Sequence, residues 1–203
     1  MDIQGPAGAI ETRVDHASNP RAIAVLAHPH PLYGGSMHDG VLTCVTEVFL
    51  AHHISCVRFN FRGVGQSAGT HDGGEGEVDD LICVAQAAAG GDEQFPLWLA
   101  GYSFGALMTV KASPALSVEQ TLLIAPPNAA MDFSNETLHN DNQAVSTTKA
   151  IAGELDQFVN FAGLSQLLGP GNVDNIVGAD HFFSGRQAEL TAALERYLEA
   201  TVR

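Results

Sequence analysis

Short apolar segments alternate along this chain with segments whose apolar residues recur at helical spacing. Six segments have the length and apolar character of buried strands: residues 22–28, 54–60, 95–101, 120–126, 146–153 and 172–178. Helical spacing predicts helices in five places: residues 38–52, 78–85, 103–112, 156–167 and 190–198. This alternation predicts an α/β fold, with a mostly parallel central sheet covered by helices on both faces. The segment up to about Val14 is expected to add an edge strand or a hairpin.

Length and composition fit one such unit. The 203 residues are enough for one well-buried domain and too few for two ordinary ones, so we expect a single domain over residues 1–203. Apolar residues make up 45% of the chain and glycine occurs 21 times, as buried strands and tight turns require. No apolar run approaches the roughly 18 residues of a membrane span, and no signal peptide is recognisable, so no membrane association is expected.

Charge and cysteine content indicate the partners and the compartment. The chain has 23 acidic and 9 basic residues, a formal charge of −14, which disfavours binding to nucleic acid and serves solubility. Cys44, Cys56 and Cys83 are odd in number and form no CxxC pair, so we expect reduced thiols and a cytoplasmic location. The sequence is compatible with a monomer or a homodimer.

The turn after the strand at 95–101 carries a candidate nucleophile. Residues 101–105 read GYSFG, and sites in parallel sheets lie at the carboxyl ends of strands. A serine hydroxyl is a weak nucleophile unless it projects towards a base, and a sharp strand-to-helix turn flanked by glycines provides that projection. We therefore predict Ser103 as the nucleophile and the Phe104 N–H as an oxyanion donor. The alternative is an ordinary serine at a helix N-cap.

A base and an acid follow at later strand ends. His181 comes directly after the strand at 172–178, and Asp156 follows the strand at 146–153. Glu154 and Asp180 are the competing carboxylates, and Asp156 could also be a helix N-cap. The chain order Ser103, Asp156, His181 favours these three residues as a catalytic triad.

The loop after the first long strand is the candidate for a second oxyanion donor. Residues 28–37 read HPHPLYGGSM, in which the two prolines have no N–H to donate. The donor is then His30, Leu32 or Tyr33, with His30 favoured by position and Leu32 next. His28 and His30 also share a face in extended chain and could form a metal pair, with His38 and Asp39 near, but the two prolines and the missing carboxylate pattern disfavour a metal site.

Five segments together resemble a known family. HPHPLYGGSM, FNFRGVGQSAG, GYSFGA, GELDQF and GADHFF occur in the order and spacing of a small, lidless α/β-hydrolase family that is related to the dienelactone hydrolases. The similarity covers roughly residues 22–200. It implies the α/β-hydrolase fold without a lid domain, and it implies that Ser103, Asp156 and His181 match the triad. Dienelactone hydrolases proper have cysteine at the nucleophile position, whereas this chain has serine.

These features predict a serine hydrolase that cleaves a small carboxylic ester or thioester through an acyl-enzyme, with no metal or organic cofactor. The partner is a small acyl substrate. About twenty polar residues separate the strands at 120–126 and 146–153, too few for a helical lid, so we expect an open site. Five aromatic residues are predicted to line the substrate pocket: Tyr33, Tyr102, Phe133, Phe158 and Phe182.

Alternatives from other classes also fit parts of the sequence. The chain could be a binding protein that keeps the hydrolase scaffold without turnover, or a metal-dependent hydrolase that uses the HPH pair. Arg62 could bind an anionic substrate group, although we interpret it as an arginine that ties loops together. The acids at 73–80 lack the spacing of a calcium loop and suit the start of a helix.

Overall fold

The computed structural model describes residues 3–90, 95–133 and 147–201. Nine strands occur in these ranges: β1 (Ile3–Gly5), β2 (Gly8–Ile10), β3 (Thr12–Asp15), β4 (Ala22–Ala27), β5 (Ile54–Phe59), β6 (Leu97–Tyr102), β7 (Val118–Ile124), β8 (Thr148–Gly153) and β9 (Val173–Ile176). Strands β3 to β9 form one sheet in the order β3-β5-β4-β6-β7-β8-β9. All neighbours in it are parallel except β3, which pairs antiparallel with β5.

The N-terminal segment forms both elements that were expected of it. β1 and β2 make an antiparallel hairpin, and β3 is the edge strand of the large sheet. The interior strands show why the apolar runs are continuous. Every residue of β5 and β6 is buried, because helices cover both faces of the sheet there.

The helices lie in two layers. Five α-helices occur in the described ranges: α1 (Gly40–Ala51), α2 (Glu75–Ala89), α3 (Phe104–Ala112), α4 (Phe161–Leu168) and α5 (Gln187–Thr201). Side chains of α1 and α5 form the core on one face of the sheet, and those of α2, α3 and α4 form the core on the other. The predicted fold class is confirmed. Within the described ranges, no helix has the length and hydropathy to cross a membrane.

The prediction of a helix over residues 156–167 is wrong at its start. α4 begins at Phe161, and its N-cap is Asn160, whose side chain accepts the Gly163 N–H. Asp156 lies in a turn before the helix, because its carboxylate accepts the N–H of Phe158. Most of the segment predicted to be too short for a lid, residues 134–146, lies outside the described residues.

Candidate active site

The carboxyl ends of β6, β8 and β9 bring together Ser103, Asp156 and His181. The Nε2 atom of His181 lies 2.9 Å from the Ser103 Oγ, and its Nδ1 atom lies 2.7 Å from the Asp156 Oδ2. The three groups come from turns after three different strands, yet they form one continuous hydrogen-bonded chain. The order of strands in the sheet, not proximity in sequence, creates this contact.

The turn at Ser103 has the strained geometry that its sequence suggests. Ser103 has a φ of 55°, a conformation that few non-glycine residues adopt. A Cβ at Gly101 would lie 2.3 Å from the Gly105 carbonyl oxygen, and a Cβ at Gly105 would lie 2.2 Å from the Ala27 carbonyl oxygen. Both flanking positions therefore require glycine, and the close approach of Gly105 holds the start of α3 against the end of β4.

The hydrogen bonds at His181 assign its tautomer. A carboxylate only accepts, so Nδ1 carries a proton towards Asp156, and in the neutral ring Nε2 is left to accept the Ser103 hydroxyl proton. The Asp156 side chain is fully buried and that of His181 is 9% exposed. A base with its orienting carboxylate shielded from water, next to a projecting hydroxyl, can generate an alkoxide nucleophile.

The two competing carboxylates are occupied elsewhere. Glu154 is exposed, and its Oε2 accepts the N–H of Gly178 at 2.9 Å. Asp180 accepts the N–H groups of Phe182 and Ser184, and so shapes the turn that carries His181. Among the three candidate acids, only Asp156 has a hydrogen bond to the His181 ring.

Aromatic residues enclose the His181 ring. Phe158, Phe182 and Tyr102 have ring centroids 4.9, 5.3 and 5.8 Å from it. The Tyr102 hydroxyl donates to the His181 carbonyl oxygen at 3.1 Å, and burial raises the pKa of this phenol, so it stays a donor. Tyr102 thus anchors the loop from behind and, at 2% exposure, offers little surface to a pocket.

The HPHP loop is held by hydrogen bonds at its start. His28 is completely buried; its Nδ1 donates to the Pro29 carbonyl oxygen and its Nε2 accepts the Phe61 N–H. Both ring nitrogens are therefore occupied, so His28 is not free to bind a metal. Within the described ranges, no group of three or more His, Cys, Asp or Glu side chains could hold a metal ion.

The same loop distinguishes among the three candidate donors. The Tyr33 N–H donates to the His30 carbonyl oxygen at 3.1 Å. The Leu32 N–H donates to the Nδ1 of His30 at 3.2 Å, so it is used within the loop. The His30 N–H and the Phe104 N–H have no hydrogen-bond partner in the part of the chain that the structure describes. The His30 ring also packs against that of Phe104, with centroids 4.8 Å apart. This arrangement argues against Leu32 and supports the prediction of His30.

Arg62 and Asp80, one acid of the acidic run, form a largely buried ion pair. Arg62 forms a fork with Asp80, at 2.9 and 3.0 Å, and also pairs with Asp72. It therefore ties loops together, as the sequence suggested. Glu77 and Asp80 are buried, however, whereas the sequence pattern indicated acids that only favour the helix dipole.

One feature of the site, the contact between Glu77 and His71, could not be predicted from the pattern of hydrophobic residues. The Glu77 carboxylate is fully buried and lies 2.8 Å from the Nδ1 of His71, whose ring packs against those of His30 and Phe104. The available sequence signal was a glutamate three residues after the helix N-cap, the position from which Glu77 accepts the Gly74 N–H.

Comparison with other proteins identifies the family. No family model matches the chain. It is similar to a lidless α/β serine hydrolase of Xanthomonas campestris, with 32% identity, a TM-score of 0.87, and coverage of 98% of this chain and 93% of that one. An α/β serine hydrolase homologue of Coxiella burnetii is also 32% identical, with a TM-score of 0.83 and coverage of 98% and 96%. This chain belongs to the lidless α/β serine hydrolases. An uncharacterized protein of Rickettsia prowazekii is 33% identical, over 96% of this chain and 86% of its own length.

In this lidless α/β serine hydrolase, large apolar side chains are exposed at the edge of the sheet that carries Ser103. They follow β4, β8 and β9, and they are Leu32, Tyr33, Leu155, Val177 and Phe182, with 66–87% of each residue exposed. Among the predicted pocket residues, Tyr33 and Phe182 therefore lie at the surface and Phe158 is half-buried. Phe133 belongs to the hydrophobic core, with 9% exposed.

Proposed function

We propose that this protein hydrolyses small carboxylic esters or thioesters through a covalent acyl-enzyme, with Ser103, His181 and Asp156 as its catalytic triad. The observation that carries the proposal is the unbroken chain of hydrogen bonds from Asp156 through His181 to a serine with a φ of 55°. A strained residue persists only where its surroundings hold it, and such residues cluster at active sites.

In the first half of the reaction, the Ser103 Oγ attacks the acyl carbon while the His181 Nε2 takes the hydroxyl proton. The carbonyl π electrons move onto oxygen, where the N–H groups of Phe104 and His30 stabilise the charge. The tetrahedral intermediate collapses, the bond to the alcohol or thiol breaks, and His181 returns its proton to the leaving group. Asp156 stabilises the imidazolium between these two transfers.

In the second half, His181 removes a proton from water, and the resulting oxygen attacks the acyl-enzyme. Collapse of the second intermediate breaks the bond to Ser103, which regains its proton from His181, and releases the carboxylic acid. The proposal requires no cofactor, because side chains supply the nucleophile and the base. It includes a cytoplasmic location, which the three free cysteine thiols support.

The exposed apolar side chains near the triad favour neutral acyl or alcohol groups over highly charged ones. Burying an exposed apolar side chain against an acyl chain stabilises the complex by about 25 cal/mol for each Å² removed from water. We therefore expect catalytic efficiency to rise with acyl length over the first few carbons of a series of p-nitrophenyl esters.

The test is this ester series together with Ser103→Ala. We expect the variant to lose at least about three orders of magnitude in kcat for any ester that the wild type cleaves, and to lose labelling by a fluorophosphonate. Ser113→Ala is the matched control, because Ser113 lies at the other end of α3 and its hydroxyl donates to the Val110 carbonyl oxygen, away from the triad. A wild type that resists the fluorophosphonate would favour a binding protein on this scaffold, and near-normal turnover in Ser103→Ala would exclude a serine mechanism.

A further inference from the structure

Glu77 and His71 form a second buried carboxylate–histidine pair beside the candidate active site. The Glu77 side chain is fully buried and that of His71 is 13% exposed. Besides the His71 Nδ1, the carboxylate accepts the backbone N–H of Gly74 at 2.8 Å. These bonds fix the His71 ring to the first turn of α2. In the described part of the chain, no hydrogen-bond partner is found for the His71 Nε2.

The His71 ring contacts the loop that is proposed to hold the oxyanion. Its centroid lies 4.8 Å from that of His30 and 5.8 Å from that of Phe104, the two residues whose N–H groups are the proposed donors. His30 also packs against Phe104, at 4.8 Å. The three rings therefore form one cluster.

The shape of the loop depends on the protonation of His30. Its Nδ1 accepts the Leu32 N–H, and this bond caps the short 3₁₀ helix Pro31–Tyr33. An imidazolium has no acceptor nitrogen, so the bond exists only while His30 is neutral. Burial lowers the pKa of His30, and the positive charge of a protonated His71 lowers it further.

Few other groups that titrate or carry charge face His30. From its own loop these are Tyr33 and His28, and burial lowers the pKa of His28 to about 4, which leaves that ring neutral. From the segment before α2 there is His71, with Glu77 behind it, and α3 contributes only the apolar ring of Phe104. His71 is thus the neighbour whose charge acts on His30.

We propose that the Glu77–His71 pair is a positioning element for the oxyanion loop: the buried carboxylate fixes the His71 ring, and that ring packs against His30 and Phe104 and holds their N–H groups in place. This inference rests on the proposed function, since it assumes that the His30 N–H stabilises the oxyanion. His71 acts through His30 and is not itself a catalytic residue. Its effect falls on the transition state, because the oxyanion forms only there.

The test is His71→Gln, which retains a hydrogen-bond donor for Glu77 but removes the ring that packs against His30 and Phe104. We expect kcat for the best p-nitrophenyl ester to fall about tenfold, less than the loss of a whole oxyanion donor, with KM changed less than about twofold. The acid limb of the kcat–pH profile should stay in place, because it reports protonation of the base His181 and not of His30, whose pKa is lowered by burial. His52→Gln is the matched control, because His52 pairs with Glu195 on the surface, away from the site.

A direct measurement of the His30 ring makes the outcome independent of turnover. NMR titration of the imidazole groups should give His30 a higher pKa in His71→Gln than in the wild type, with loss of the Leu32 N–H hydrogen bond as the ring is protonated. Glu77→Asp, which retains the carboxylate but shortens it, should give a smaller change in the same direction if His71→Gln does not fold. An unmoved His30 titration, or a kcat within about twofold of that of the wild type, would overturn the proposal. If the wild type cleaves no ester, only the proposed function fails, and the NMR titration still decides this one.

Discussion

The two carboxylate–histidine pairs next to the serine turn are built alike and differ in what the second ring nitrogen of the histidine contacts. In both, a fully buried carboxylate binds the Nδ1 of a histidine, at 2.7 Å in Asp156–His181 and 2.8 Å in Glu77–His71. In the first pair the Nε2 meets the Ser103 hydroxyl. A buried pair of this kind is therefore not in itself a general base. The chemistry of such a pair is decided by the group that the second ring nitrogen contacts.

The pairs also differ in how the backbone holds the acid. Glu77 lies within the first turn of α2, where the helix fixes its orientation. Asp156 lies in the turn after β8 and is held by the Phe158 N–H. At the same strand end, a Cβ at Gly153 would lie 2.4 Å from the Ala179 carbonyl oxygen, so the turns that carry acid and base are in close contact.

Replacing Asp156, the acid of the first pair, is expected to have the largest effect on activity. In Asp156→Asn, the amide can still accept the Phe158 N–H, but it can present its NH₂ group to His181 and so favour the wrong tautomer. We expect kcat for ester hydrolysis to fall by about 10³ to 10⁴, with little change in melting temperature. Steady-state kinetics on purified protein measures it.

Glu154→Gln is the matched control for that variant, because Glu154 is two residues away and binds only the exposed Gly178 N–H. Its kcat should change by less than about tenfold. If Glu154→Gln is the inactive variant and Asp156→Asn is active, the acid has been misassigned.

His28 is a buried histidine with no carboxylate partner, and it extends the comparison to folding stability. Burial lowers the pKa of His28 from 6.5 to about 4, and both its nitrogens are satisfied only in the neutral ring. Its contribution to stability is complete above the unfolded pKa of 6.5 and is lost as the pH falls towards 4. We expect this histidine alone to lower the free energy of unfolding by about 3 kcal/mol over that interval.

Denaturant titrations between pH 7 and pH 4 measure this loss. His53→Gln is the control, because His53 is an exposed histidine whose Nδ1 bonds to the Ser18 carbonyl oxygen. It should leave the pH dependence unchanged, whereas His28→Gln should flatten it. If the free energy of unfolding depends on pH equally in the wild type, His28→Gln and His53→Gln, then His28 is not the group responsible.

The smallest expected effect concerns metal removal. Each pair already engages one ring nitrogen of its histidine with a carboxylate, and His28 cannot join His30 because both its nitrogens are bonded. We expect exhaustive treatment with EDTA to change ester hydrolysis by less than about twofold. Loss of activity that zinc restores would instead favour the metal-dependent alternative.

The sequence predicts the fold well where two signals agree. At Ser103, an apolar run ends, a glycine-flanked turn follows and a helix begins, and β6, the turn and α3 lie there. The prediction of a helix fails at residues 156–160, because Phe158, Val159 and Phe161 have helical spacing although the chain is not helical before Phe161. The chain there remains in turns, because the Asp156 carboxylate binds the Phe158 N–H and the His181 ring.

The Glu77–His71 pair shows what hydrophobic patterns cannot predict. His71 lies in a polar, glycine-rich turn that carries no periodicity, and Glu77 looks like any other acid at a helix start. Burial of both follows from the packing of α2 beside α3 and from the contact of His71 with the loop after β4. These contacts join segments that are about forty residues apart, and a single sequence contains no sign of them.

The left-handed backbone of Ser103 has a consequence for how this protein can change during evolution. A non-glycine residue in such a conformation costs about 1–3 kcal/mol, so replacement by glycine would relieve the strain and leave an inactive protein that is more stable. Random mutation, filtered only for folding, would therefore drift towards glycine at this position. The catalytic role proposed for Ser103 would oppose that drift, whereas a scaffold retained only for binding would be free to lose the serine.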